Sequence, residues 1–377
     1  MTIDVKNETK VSRLKFIDLA RSIAILLMLE GHFIDSTLGE QFRSPDAHFV
    51  NPDFLAYDIW HLIRGYTSPL FLTITGMVFA FLLYKKNDMP LSENDRVSKG
   101  FHRVVILLFW GYLMTPNNFH ILQCIGIGLL LLLLVYGLYK VIKIIPLWIY
   151  YFVLGFVFYF TYAYFNSFKG ADGEALPFPL HSYTWIQNMI FNPGNALFPI
   201  FPNLGNTFFG AALGIGLYAK PLQKNRKLIP LSFFVLGIFL TFFYTKIVYS
   251  FLEAIGDARN SFNYLGTTNW LFERLGWVLL FIAVLSFIDV FFKIKDSLFL
   301  KIGQNTFIIF IVHMMLLYGV LFPISINDFF QRGHNPLNPY QAVLGAMLFL
   351  SFFFVFIKYT KQIITGIQKF WKYISPL

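Results

Sequence analysis

The sequence has one cysteine and few charged residues, and each shortage excludes a class of protein. Because Cys124 stands alone among 377 residues, the chain can form neither an intramolecular disulfide nor a cysteine-based metal site. Charged residues make up 13% of the chain, against about 25% in a typical soluble protein. Hydrophobic residues reach 56%, and 47 phenylalanines are more than one soluble core can bury. The composition therefore predicts a polytopic membrane protein.

Several catalytic and ligand-binding motifs are missing as well. There is no Walker loop, and Gly126-Ile127-Gly128 lacks the third glycine and the strand of a dinucleotide fingerprint. There is no Gly-x-Ser-x-Gly nucleophile elbow, no internal repeat and no Pro-rich or Ser-rich linker. The side chains of His32, Asp35, Asp58 and His61 could in principle bind a metal through nitrogen and oxygen ligands. No spacing among them is diagnostic of a metal site, so no metal is expected.

Ten segments are apolar and long enough to cross a bilayer as helices, which takes about 20 residues each. They are residues 15–37, 60–84, 101–115, 119–140, 144–166, 197–218, 228–250, 272–292, 299–322 and 339–363. We therefore predict an all-α integral membrane protein, a polytopic bundle of about ten transmembrane helices. It would form a single domain over residues 1–377, with an N-terminal tail at 1–14 and a C-terminal tail at 364–377.

The basic residues alternate between the segments that connect these spans. Connecting segments on the side of the two chain ends hold 22 of the 30 Lys and Arg residues, the alternate segments hold 7, and Arg21 lies inside the first span. Lys and Arg accumulate on cytoplasmic loops, so we expect cytoplasmic termini and a multi-pass protein of the cell inner (plasma) membrane. The same rule explains the net charge of +10 without a nucleic-acid partner.

Polar residues form a stripe along one face of each of the first two spans. Ionisable residues within spans are costly and mark functional sites. At 100° per residue, the stripes consist of Asp18, Arg21, His32 and Asp35 in the first span, and of His61, Arg64, Ser68 and Thr75 in the second, with Asp58 one turn earlier. Glu30 lies on the other side of its helix. Each stripe thus holds a His/Asp pair near the outer membrane boundary, and we expect the two histidines to share a cavity.

These pairs predict acid–base chemistry. Either His32 or His61 would act as the general base, because an imidazole can take a proton at neutral pH. The neighbouring carboxylate, Asp35 or Asp58, would orient the ring. Arg64 would hold the substrate that accepts the transferred group, or would stabilise the negatively charged oxygen that develops during the reaction. The structural alternative is an interfacial histidine that bonds only a neighbouring carbonyl.

Further polar residues within spans are candidates for substrate binding. They are Asp18, Arg21, His120, Gln123, Asn305 and His313. Asp18 and Arg21 are explained more simply as an ion pair, since buried charges need partners, and His313 as a packing residue. Gly210 and Gly214 share one face of the sixth span and would allow close helix packing.

The first span carries a resemblance to a known superfamily. Residues Arg13–Met28, followed by Gly31 and His32, resemble the opening R-x-x-x-x-D-x-x-R-G-x-A-x-x-x-M of transmembrane acyltransferases. One position departs from the pattern, because Ser22 replaces the usual glycine after the arginine.

Three later stretches extend the resemblance over most of the chain. Thr67–Gly76 and Ile121–Gly126 are similar to motifs of the heparan-alpha-glucosaminide N-acetyltransferase catalytic domain and its bacterial relatives. Cys124 stands where the second motif usually has arginine. Asn305, Thr306 and His313 resemble a late span of membrane acyltransferases generally.

The resemblance implies a membrane-embedded acyltransferase. It would move an acetyl or other short acyl group from cytosolic acetyl-CoA to an amine or hydroxyl of an extracytoplasmic envelope saccharide. The CoA phosphates would meet basic residues on the cytoplasmic side, Arg96, Lys99 and Arg103, beside His102. The partners would be acyl-CoA, the saccharide and the lipid bilayer, and a homodimer is left open. The competing interpretations are a small-solute transporter, which the missing repeat disfavours, and a non-catalytic scaffold.

Overall fold

The computed structural model describes residues 14–44, 52–116, 118–166, 189–190, 197–256, 262–292, 294–321, 323–332 and 335–374. Within these ranges the chain is helical, apart from loops and one isolated backbone bridge between Leu38 and Leu337. The α-helices are α1 (Lys15–Thr37), α2 (Leu55–Gly65), α3 (Thr67–Tyr84), α4 (Asp95–Met114), α5 (Ile121–Ile142), α6 (Leu147–Asn166), α7 (Ile200–Gly216), α8 (Lys220–Lys224), α9 (Leu228–Ile238), α10 (Tyr244–Ala254), α11 (Tyr264–Thr267), α12 (Asn269–Phe291), α13 (Leu298–Gln304), α14 (Thr306–Tyr318) and α15 (Pro339–Ile374).

The helices confirm an all-α membrane protein. Six stretches of the described residues are long and apolar enough to cross a bilayer, and a seventh is a bent pair of helices. The six are Leu55–Tyr84, Ile121–Ile142, Leu147–Asn166, Leu228–Ala254, Tyr264–Phe291 and Pro339–Thr360. Each of the ten predicted apolar segments coincides with one helix or with two consecutive helices.

Several helix ends differ from the predicted ones. The helix α4 begins at Asp95, six residues before the predicted span, because the Asn94 side chain caps it by accepting from the backbone N–H of Arg96 at 3.0 Å. The helix α15 continues to Ile374, so the predicted C-terminal tail is helical over 364–374. The predicted N-terminal tail lies almost wholly outside the described residues.

The predicted ninth span is two helices rather than one. The helices α13 and α14 meet at Asn305 with a bend of 82°. The Asn305 side chain donates to the Lys301 carbonyl at 2.7 Å and so satisfies a backbone acceptor near the break. The helix α14 ends at Tyr318. The next residue, Gly319, caps it with a φ of 66°, a left-handed conformation that glycine adopts without strain.

Glycines bring α3 and α7 into backbone contact. A Cβ atom on Gly210 would overlap the Thr73 carbonyl oxygen, and one on Gly214 would overlap the Met77 carbonyl oxygen. The predicted role of these two glycines in close packing is therefore confirmed. The helices α3 and α7 therefore pack closely, backbone against backbone.

The serine that departs from the family pattern joins α1 to α13. The Ser22 hydroxyl lies 2.9 Å from the Asp18 carbonyl and 2.7 Å from the Phe299 carbonyl, and it accepts from the Gly303 N–H at 2.9 Å. A Cβ on Gly303 would overlap the Asp18 carbonyl oxygen. The two helices thus touch through a buried polar junction that a glycine at position 22 could not supply.

Candidate active site

One cavity of about 780 Å³ lies between α1, α2, α3, α4, α5 and α14. Its lining is polar at both ends and apolar between them. The Arg64 end contains Asp35, Arg43, Tyr57, His61 and Arg64, the Arg103 end contains Arg21, Arg103 and Thr306, and the section between contains Met28, Phe71, Leu107, Ile125 and Phe310. From Arg21 to Asp35 the cavity follows α1 for about 21 Å, at 1.5 Å per residue.

His32 lines this cavity and is held from the opposite side by α14. Its Nδ1 lies 2.7 Å from the Tyr318 hydroxyl, and its ring meets that of His313 edge-on, with centroids 5.4 Å apart. The predicted partner of His32 was Asp35, but the hydrogen bond at Nδ1 is made with Tyr318. The remaining ring nitrogen, Nε2, is the atom available to a substrate.

Asp35 instead forms an ion pair with Arg64, which joins α1 to α2. The Arg64 guanidinium also lies 5.4 Å over the Trp60 ring. A Cβ on Gly31 would come within 2.6 Å of Arg64 Nε, so the glycine gives the arginine room to cross α1. Glu30 was predicted to lie away from the site and is not among the residues that line the cavity; its Oε1 accepts from Trp60 Nε1 at 2.6 Å.

His61 lines the same cavity as His32, which confirms the predicted shared cavity. Its ring stacks on Tyr57, with centroids 5.9 Å apart and planes 18° from parallel. In the described structure the Nδ1 atom of His61 is buried and has no hydrogen-bond partner. Asp58, one turn earlier on α2, therefore does not orient the His61 ring through that atom.

The two predicted binding residues at the start of α5 have different surroundings. His120 lines the cavity, and its ring lies 5.6 Å from Phe198 and 5.8 Å from Phe310. Gln123 is fully buried in the first turn of α5. Its Oε1 accepts from the His120 N–H at 3.0 Å, and its Nε2 donates to Thr115 Oγ1 at 3.1 Å. The geometry thus gives Gln123 a structural task.

His313 is fully buried behind His32. Its Nδ1 lies 3.3 Å from the Ile309 carbonyl, and its Nε2 has no hydrogen-bond partner among the described residues. His313 is not part of the cavity lining, so it contacts the site through the His32 ring. Nothing in the sequence distinguishes Tyr318, which is one of 20 tyrosines and has no charged neighbour in its helix.

The predicted cofactor-binding residues divide into two groups. Arg103 lines the same cavity as Arg21, whose Nη2 donates to Thr306 Oγ1 at 3.0 Å. Lys99 and Arg96 lie nearer the start of α4, outside the lining. Lys99 Nζ is mostly exposed and pairs with Asp95 Oδ2 at 2.7 Å.

Asp18 and Asn305 lie just behind the Arg103 end. Asp18 is buried, 8% exposed, beside the junction of α1 with α13. Asn305 immediately precedes Thr306, the cavity residue that Arg21 contacts. Among the described residues no group of three or more His, Cys, Asp or Glu side chains could hold a metal ion.

Comparison with known proteins identifies the family. The family model described as heparan-alpha-glucosaminide N-acetyltransferase, catalytic, matches residues 13–246, well over half of the chain. No curated protein and no solved structure matches the chain significantly. The match includes His32, Asp35, His61 and Arg64, whereas Tyr318 lies beyond it. The chain belongs to the heparan-alpha-glucosaminide N-acetyltransferase family of membrane acetyltransferases.

Proposed function

We propose that the protein transfers an acetyl or other short acyl group from cytosolic acyl-CoA to an amine or hydroxyl of an extracytoplasmic envelope saccharide. One observation carries the proposal: a single cavity joins two arginines, Arg21 and Arg103, to two histidines, His32 and His61. With ten spans and cytoplasmic termini in the inner membrane, the Arg103 end would be nearer the cytosol and the Arg64 end would face outward. Donor and acceptor would then enter from opposite sides.

The Arg103 end suits the donor. CoA carries several phosphate groups, and arginine binds phosphate through paired N–H donors. Lys99 and Arg96, one to two turns before Arg103 on α4, would attract the same phosphates before they enter. The uncharged pantetheine arm would then follow the apolar section past Met28 and Phe71 towards His32. This path brings the thioester to the histidine while the phosphates stay at the basic end.

His32 is the proposed general base. Its Nε2 would take the proton of the acceptor amine or hydroxyl while that group attacks the thioester carbon. Nδ1–H would donate to the Tyr318 oxygen and so hold the ring in the productive tautomer. The tetrahedral intermediate would expel the CoA thiolate, which recovers a proton from the imidazolium. The Arg64 guanidinium, fixed by Asp35, would hold the acceptor or the oxyanion at the same end.

The test is transfer across a membrane. Inverted vesicles that contain the protein receive radiolabelled acetyl-CoA outside, and label is sought on glycan inside. The His32→Ala variant should lose about 10²- to 10⁴-fold in rate, as expected when a general base is removed. Tyr318→Phe should lower kcat by about two- to tenfold, as for one neutral hydrogen bond, with KM for acetyl-CoA unchanged. Tyr340→Phe is the control, because Tyr340 is 88% exposed.

Two results would contradict the assignment. Full transfer by His32→Ala would move the base to His61, which shares the cavity. Absence of label on any glycan, with normal binding of acetyl-CoA, would reject the proposed direction of transfer.

A further inference from the structure

A second cavity of about 190 Å³ adjoins the active-site cavity. The two share Ser68 on α3, so the small cavity lies beside the site and not across the bundle from it. Its walls come from α3, α6, α7 and α12. Its polar and aromatic lining consists of Tyr159, Tyr162, Asn203, Asn206, Trp270 and Arg274. We call it the Arg274 subsite.

Arg274 is the cation of this subsite, and no carboxylate pairs with it in the described part of the chain. Its guanidinium lies 5.1 Å over the Trp270 ring. Its Nη2 lies 3.6 Å from the position that a Cβ on Gly65 would take, and Gly65 lines the main cavity. An arginine at membrane level normally has an anionic partner or faces a polar cavity. The Arg274 guanidinium could therefore bind an anion where the two cavities adjoin.

The rest of the lining suits a sugar ring. Trp270 and Tyr162 form an aromatic corner, with centroids 6.1 Å apart and planes at 77°. Tyr159 donates its hydroxyl to Asn206 Oδ1 at 2.8 Å, which leaves the Asn206 NH₂ group as a donor. Asn203 donates to the Pro199 carbonyl at 2.8 Å, which leaves its Oδ1 as an acceptor. Aromatic faces and fixed amides match the apolar face and the hydroxyl edge of a sugar.

We propose that the Arg274 subsite binds an acidic sugar unit of the acceptor, one that carries a carboxylate or a phosphate, next to the unit acylated at His32. The volume admits a single sugar ring, and Arg274 supplies the bidentate recognition that either anion accepts. Trp270 and Arg274 lie outside the residues that the family model matches. The proposal rests on the proposed acyl transfer for its role, but the binding itself is independent of it.

The first experiment measures binding without transfer. Purified protein in lipid nanodiscs is titrated with glucuronic acid, glucose 6-phosphate and glucose, and heat is recorded. The wild type should bind at least one acidic sugar more tightly than glucose, and the stronger of the two identifies carboxylate or phosphate. Arg274→Gln should weaken that binding by about 10- to 100-fold, the range for a hydrogen-bonded charged group. Lys246→Gln is the matched control, because Lys246 is exposed and lines neither cavity within the described residues.

The second experiment measures transfer to disaccharides of glucosamine with glucose, glucuronic acid or glucose 6-phosphate. Arg274→Gln should raise KM for the acidic acceptor alone, with kcat and the neutral acceptor unchanged. If Arg274→Gln does not fold, Arg274→Lys keeps the charge, loses the bidentate geometry and should show a smaller rise.

Equal binding of acidic and neutral sugars by the wild type, or equal effects of Arg274→Gln and Lys246→Gln, would overturn the subsite. Selective binding without acyl transfer to the amine or to any hydroxyl of these disaccharides would instead reject the proposed function and leave the subsite standing.

Discussion

The hydrogen-bond partner of His32 is Tyr318 because Asp35 forms an ion pair with Arg64. A carboxylate one turn away on α1 can choose between a neutral imidazole and the Arg64 guanidinium that crosses Gly31. Charge-assisted bonds are roughly twice as strong as neutral ones, so the ion pair takes the carboxylate. The His32 ring instead forms its hydrogen bond with the hydroxyl of Tyr318 on α14. A single substitution at Asp35 would therefore disturb α2 before it disturbed the base.

Two lysines, Lys86 and Lys99, bind the Asp95 carboxylate at the start of α4. Hydrogen bonds from Lys86 at 2.5 Å and Lys99 at 2.7 Å hold the pKa of the Asp95 carboxyl well below its usual range. A lowered folded-state pKa adds stability above the ordinary Asp value, and that stability is lost as pH falls through the folded value. Asp95 consequently stays ionised at neutral and mildly acidic pH, and it keeps both lysines engaged there.

Asp95→Asn should release Lys86 and Lys99 and raise the positive potential at the start of α4. If these lysines attract CoA phosphates, KM for acetyl-CoA should fall by about two- to fivefold at low salt, the range for an exposed ion pair. The change should vanish at high salt, because exposed charges are screened. Initial rates at several salt concentrations measure it. Glu93→Gln is the control, because Glu93 is an exposed carboxylate in the turn just before α4. Equal behaviour of both variants would show that Lys99 has no part in donor binding.

At the scale of helices, the contact between α3 and α7 tolerates no side chain at Gly210. Gly210→Ala places a Cβ against the Thr73 carbonyl, where backbone must move, so unfolding free energy should fall by about 1–3 kcal/mol, as in other overpacked cores. Gly137→Ala is the control on α5, since no atom lies within 4 Å of its Cβ position. It should be neutral or stabilising by up to about 1 kcal/mol. Thermal unfolding in detergent compares them, and equal midpoints would exclude tight backbone packing.

Hydropathy located the helices but not their interruptions. Averaging over an apolar window gives the same value whether Asn305 lies within a straight helix or between α13 and α14, because one polar pair hardly changes the mean. Average hydropathy likewise does not reveal the π-helical turn at Phe239–Phe243, between α9 and α10. The early start of α4 was missed for the opposite reason, since its first turns are charged. Each of these features depends on backbone hydrogen bonds, which composition does not encode.

Helical periodicity predicted much of the site for a simple reason. A polar residue in a span usually faces a cavity or a partner, and His32, His61 and Arg64 all line the cavity between α1 and α2. Periodicity could not predict which residue on a distant helix completes the set. Tyr318 comes from α14, and its contact with His32 depends on how α14 is placed against α1.

For the molecule as a whole, the proposed chemistry depends on how the protein is oriented in the membrane. The partition of 22 against 7 basic residues predicts ten spans with both termini inside. Reporter fusions after residue 45 or residue 180 should read external, and fusions after residue 90 or residue 223 internal. Paired alkaline phosphatase and fluorescent-protein fusions measure this. A consistent reversal would place the Arg103 end outside and would rule out cytosolic acyl-CoA as the donor.

The apolar section of the cavity bears on a different property of the cell. A path with arginines at one end and histidines at the other would discharge a proton gradient if water filled it from end to end. Between the two ends the lining includes the apolar side chains of Met28, Phe71, Leu107, Ile125 and Phe310. Hydrophobic constrictions expel water and block ions. The same side chains that would guide an acyl arm would therefore also hinder the passage of water and ions between the two ends of the cavity.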